Sequence, residues 1–224
     1  MIRVGIACPA PSSAEPFAAW VLDLIGCVSC AGSEDAALAG VGAAIDAYLH
    51  HARGLEAVAP RGDIRVVERF TGSWEGDYEV NAFFRQVDLA PVTAEEADFA
   101  AALLERTRGA LLRAARRAGP APSDDRETEP MLRHVAKVEW WYATRLDESP
   151  AHAPPDAETR DVEALLGDVR AFALRRIAAL PSLGGVVRGH HEERWTPRKV
   201  LRRFIYHELD HVLELERRAS VAVR

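Results

Sequence analysis

Two histidines separated by three residues, His207 and His211, stand in the segment Val200–Leu215. Val200, Phe204, His207, His211 and Leu215 follow at intervals of 4, 3, 4 and 4 residues, so on an α-helix they share one apolar face. Imidazoles at i and i+4 can turn their ring nitrogens to one point, which suits a divalent transition metal. A buried pair without a partner is costly. The plainer alternative is two histidines packing separately at a helix edge. The same residues spell HELDH, a match to H-E-x-x-H, which on its own predicts a zinc protease with Glu208 as general base. We set that reading aside. The longer form of the motif requires Gly and His where Glu214 and Arg217 stand, and Asp210 puts a charge between the two ligands. Glu208 points about 100° away from His207 around the helix and reads as a solvated residue.

A metal needs a further donor. The other histidines are His50, His51, His134, His152, His190 and His191. His134 is the leading candidate, because Met131, His134, Val138 and Trp141 form another inward-facing helical stripe. Its alternative is a core histidine bonded to backbone. The remaining histidines lie in polar stretches or, for His152, in a Pro-rich linker.

The elements that must carry these residues are long helices. Thr93-Ala-Glu-Glu96 fits a capping box opening a helix that runs to Gly119-Pro120. A second helix covers roughly 130–146, beyond a loop rich in Pro, Ser and Asp. A third covers about 157–180, with Leu165, Leu166, Val169, Phe172, Ala173 and Leu180 inward. After a glycine-containing loop, Thr196-Pro197 places an N-cap and a first-turn proline before the fourth helix, which runs to about Ser220. These four predict a four-helix bundle.

Residues 131–146 (MLRHVAKVEWWYATRL) and 195–213 (WTPRKVLRRFIYHELDHVL) resemble the DinB-like superfamily, over about 130 residues from Thr93 onward. That resemblance implies a four-helix bundle whose divalent metal is held by one histidine of the second helix and an H-x-x-x-H pair of the fourth. It makes His134, His207 and His211 the three ligands. It also implies an open His₃ site in a metal-dependent thiol S-transferase or related enzyme. A small thiol or an anion is the expected substrate, and Zn, Ni, Fe and Mn are all acceptable to such donors. The alternative is a non-catalytic metal-binding or regulatory protein. One ring of the cluster Trp140, Trp141 and Tyr142, beside His134, is a candidate lining of the pocket.

Before Pro91 the texture differs. Residues 1–8 alternate as a half-buried strand, 17–22 form an apolar run, and 27–30 a short third strand. Ser33 caps a helix running to about Gly54, Ile64–Phe70 reads as a further strand, and Val80–Phe84 extends the sheet or bridges onward. Leu22-Asp-Leu-Ile-Gly-Cys27, Gly32, Ala37-Leu38 and Ala44-Ile45-Asp-Ala-Tyr-Leu49 resemble the HicB-like antitoxin fold, with Ile25 in place of a proline. The expected fold is therefore α+β: a HicB-like unit over residues 1–90 and a DinB-like bundle over 91–224. The HicB-like unit is expected to be a covering or protein-interaction module. Cys27-Val-Ser-Cys30 has no second C-x-x-C pair and lies on a strand, so we read it as structural burial rather than redox or zinc chemistry.

Composition bounds the rest. The 224 residues carry a formal net charge of -6, and residues 1–72 hold five arginines against eight acids, which opposes phosphate contact and argues against a nucleic-acid partner. No apolar run reaches the roughly 18 residues of a membrane span, and the start of the chain lacks the long apolar run of a secretory signal. Three cysteines do not make a disulfide framework, so a reducing cytoplasmic setting is expected. Whether the bundle forms a homodimer is left open by the sequence.

Overall fold

The computed structural model describes residues 1–10, 15–71, 82–118, 127–190 and 193–222. The chain is α+β. Strands β1 (Ile2–Cys8), β2 (Phe17–Val21), β3 (Val28–Ala31) and β4 (Ile64–Thr71) form a mixed sheet in the order β3-β2-β1-β4. The β1–β2 and β2–β3 pairs are antiparallel, and β4 joins β1 in parallel. That parallel pairing needs a crossover, supplied by α1 (Glu34–Ala39) and α2 (Val41–His51).

The expected single helix from Ser33 to Gly54 is broken at Gly40. A Cβ there would stand 2.3 Å from the Ser29 hydroxyl, so the turn passes close against β3. Residues 80 and 81 of the expected fifth strand segment lie outside the described residues. Residues 82–84 are not a strand and lead instead into a short helix, α3 (Arg85–Asp88).

Four long helices follow: α4 (Ala94–Ala115), α5 (Thr128–Thr144), α6 (Val162–Ala179) and α7 (Pro197–Ala222). The capping box of α4 is formed, with the Glu96 amide donating to Thr93 Oγ1 (3.1 Å) and the Thr93 amide to Glu96 Oε2 (2.9 Å). Helix α5 starts two residues earlier than the proline suggested, because Pro130 sits in the first turn where no intrahelical amide bond is needed. Helix α6 starts at Val162 rather than near Ala157, since Asp161 caps it by accepting from the Ala164 amide (2.9 Å). The expected loop before α7 contains a two-stranded hairpin, β5 (Arg188–His190) and β6 (Glu193–Trp195).

Helix α4 packs on α7, α7 on α5, α5 on α6 and α6 on α4. Alternate strand residues divide between two apolar clusters. Ile2, Val4, Ile6, Ala19 and Val21 join the core that contains Leu103, Tyr142, Phe204 and Ile205. Ala7, Ala18 and Trp20 pack with Phe84 and Tyr206. Helix α7 therefore meets the sheet as well as the other helices. At Gly26, with φ +84°, a Cβ would lie 2.6 Å from Ile205, so the loop before β3 is seated directly on α7. Buried Asp88 ties the chain to the same helix through Arg202, whose Nη2 donates at 2.8 Å, while the Asp88 carboxylate also accepts from the Phe84 amide. Among the described residues no helix is long and apolar enough to cross a membrane.

Candidate metal centre

His134 on α5 meets His207 and His211 on α7. Their donor nitrogens lie within 4.8 Å of one another, and the Nε2 atoms of His134 and His207 are 3.2 Å apart. Ligand nitrogens on one tetrahedral ion, each at about 2.0–2.1 Å, stand about 3.3 Å from each other. One pair stands at that spacing, and the third donor lies close enough to share an ion with them. His134 and His207 are half-buried, and His211 is 7 % exposed.

The local sequence explains the convergence. The apolar stripes of α5 and α7 face each other, and each histidine occupies one stripe position, so packing carries the rings together. His211 is further held from its other nitrogen: Nδ1 is 3.0 Å from Glu214 Oε2, and Glu214 is itself paired with Arg218. Burial alone would raise the Glu214 carboxyl; the His211 ring and the Arg218 guanidinium outweigh it and hold the group below the usual range. A carboxylate on Nδ1 fixes the tautomer that leaves Nε2 as the donor. Of the three neighbouring aromatics, Tyr142 lies against His207, with ring centroids 6.0 Å apart, whereas Trp140 stacks on Phe172 and Trp141 lies under Arg145. A cavity of about 630 Å³ adjoins His134, lined also by Arg133, Lys137, Glu129 and Glu158.

Among the described residues the other histidines stay apart from this group. His51 pairs with Glu216 at 3.6 Å, and burial lowers its pKa. His152 is exposed in its linker. His191 and the side chain of His190 lie outside the described residues.

The reading of Glu208 as solvated is corrected: it is 2 % exposed. Its carboxylate accepts from Arg108 Nη2 (2.9 Å) and Arg170 Nη2 (2.6 Å). Glu139 completes the group, accepting from Arg170 Nε (2.5 Å) and Arg108 Nη2 (2.6 Å). A carboxylate buried and occupied by two guanidinium groups is not placed to act as a general base, which argues against the protease role suggested by HELDH. Two acids and two arginines, one from each long helix, make a neutral buried cluster. Its signal is in the sequence: Arg108, Glu139, Arg170 and Glu208 each interrupt an apolar helical stripe, three or four residues from Leu104 and Leu111, Val135 and Tyr142, Leu166 and Ala173, and Phe204 and Val212. The cysteine reading is also corrected in part. Cys27 is buried and its thiol is pushed up to about 12 by burial, but Cys30 is exposed.

Comparison of the chain with protein-family models, with curated proteins and with solved structures gives no match.

Proposed function

We propose that the chain is a divalent-metal protein of the DinB-like kind, with His134, His207 and His211 as its metal ligands and a thiol S-transferase-type reaction at the open side of the site. The observation that carries this reading is the 3.2 Å approach of two imidazole Nε2 atoms from different helices, with a third imidazole in reach. Three neutral imidazoles leave the charge of a bound dication uncompensated, which favours an anionic substrate group. When bound, such an ion supplies Lewis acidity. The chain's own residues do the positioning. Glu214 orients His211 and Tyr142 backs His207, and the cavity beside His134 is lined by two ion pairs, Arg133–Glu129 (2.7 Å) and Lys137–Glu158.

In this reading α4, α5, α6 and α7 are the four-helix bundle of residues 91–224. The sheet with α1 and α2 is the HicB-like unit of residues 1–90, an interaction or covering module laid on α7. The free thiols Cys8 and Cys27 suit a reducing cytoplasmic setting. Metal analysis of the purified chain, followed by transfer assays with low-molecular-weight thiols and added Zn, Ni, Fe or Mn, tests the proposal. Stoichiometric metal in the native chain and none in His207→Ala is expected. Equal metal in both overturns the site, while metal without metal-dependent thiol transfer overturns the reaction.

A further inference from the structure

A second cavity, of about 580 Å³, lies where residues 23–25, the loop 55–58 and the first turns of α4 meet. Its size is that of a small-molecule site. Leu24, Ile25, Leu55 and Phe99 line it, and buried Tyr48 donates its hydroxyl to the Ile25 carbonyl at 3.0 Å. The lining carries five carboxylates and no cationic side chain. Asp23 is neutralised by Arg3 (2.7 Å) and Glu96 by Arg198 (2.6 Å). Among the described residues, Glu56, Glu95 and Asp98 form no salt bridge and are exposed. The helix dipole offsets part of Glu95, at the start of α4, but not Glu56, which comes from the loop after α2.

We infer that this cavity binds a small organic cation with an apolar body: the body against Leu24, Leu55 and Phe99, the ammonium at Glu56 and Asp98. An apolar concavity selects for a compact hydrophobic ligand. The surplus negative charge around it selects for a cation over a neutral or anionic one. The Phe99 ring adds attraction for an ammonium. A protein partner fits less well, because the apolar surface is recessed rather than presented.

Titration calorimetry on the full chain at low salt, with phenethylammonium, 2-phenylethanol and 3-phenylpropionate as probes, tests this. Saturable binding is expected for the ammonium only, weakening as salt is added. Glu56→Gln/Asp98→Asn should weaken it about tenfold, the summed effect of two exposed charges. Ala57→Trp, which fills the cavity from its lining loop, should abolish it. Both variants should unfold at the wild-type temperature and keep wild-type metal content. Equal binding of the alcohol and the ammonium, no saturable ammonium binding, or binding unchanged in Ala57→Trp each overturns the inference.

Discussion

Helix α7 carries two clusters of ionisable side chains that begin one residue apart. His207 and His211 face His134 on α5, and Glu214 pairs with the His211 ring. Glu208 looks the other way, into a set in which every charge is answered: Arg108 and Arg170 between Glu208 and Glu139. Both clusters join helices distant in sequence. The carboxylate–guanidinium set is complete within the chain and almost sealed from water. The histidine set is half-open and adjoins a cavity. A buried ion pair needs its partners in place to offset desolvation; the three imidazoles, with donors within 4.8 Å of one another, are close enough to hold a metal ion. The first arrangement is a structural lock, and the second is the candidate metal centre.

The largest expected effect probes the lock. Glu208→Ala leaves two buried guanidinium groups with one carboxylate and should cost about 3–5 kcal/mol in chemical denaturation. A loss below about 1 kcal/mol would erase the distinction between the clusters. The pH dependence follows with its sign. Burial raises the Glu208 carboxyl, but Arg108 and Arg170 outweigh it and hold it below the usual range. Its stabilisation is therefore present above the unfolded-state value of about 4.3 and lost as pH falls through the lower folded value. Denaturation series from pH 7 to pH 3 should show that acid loss in the wild type and a shallower one in Glu208→Ala.

His207→Ala should behave oppositely. Without metal it should change stability by less than about 1 kcal/mol, because the ring is half-exposed. With zinc at 100 times its dissociation constant the wild type should gain about 2.7 kcal/mol, removable by chelation, and the variant nothing. Melting curves with zinc and with chelator separate the two. A smaller effect is expected at Glu214→Gln: metal affinity about 10–100-fold weaker in a competition titration, with metal-free stability nearly unchanged. The smallest perturbation is chemical labelling, with Cys27 as the reference for burial without a counter-charge. Its thiol is pushed up to about 12, so at pH 8 only about 10⁻⁴ of it is thiolate. Mass spectrometry after iodoacetamide should find exposed Cys30 modified in the native protein and Cys27 only after unfolding.

Much of the secondary structure was legible because its signals are local. The Thr93–Glu96 capping box, the strand pattern of residues 2–8 and the Thr196-Pro197 start of α7 are each written within a few residues. Other features escaped because their causes lie elsewhere in the chain. The break at Gly40 falls where the chain passes close to Ser29 on β3, and the hairpin before α7 lies in a stretch whose glycines and charges read as loop. The apolar face of α7 was visible as a stripe. Its second buried face shows only where Glu208 stands between Phe204 and Val212, because Arg202, Arg203 and Glu208 carry the polarity of a solvated surface. They are buried only because Asp88, Tyr142, Arg108 and Arg170 come to meet them.

The sequence by itself determined that His134, His207 and His211 lie on inward stripes, since helical spacing is a property of the backbone. It also determined an α+β chain that changes from strands to long helices near Pro91. Only the tertiary structure decided that α5 and α7 bring two Nε2 atoms to 3.2 Å, that Glu214 holds His211, and that Glu208 belongs to a lock rather than to the histidines. The physical reason is that periodicity assigns a residue to a face, whereas the partner waiting at that face, apolar, charged or open, comes from segments up to about a hundred residues away. The cost of burying a charge depends on that partner and not on the residue alone.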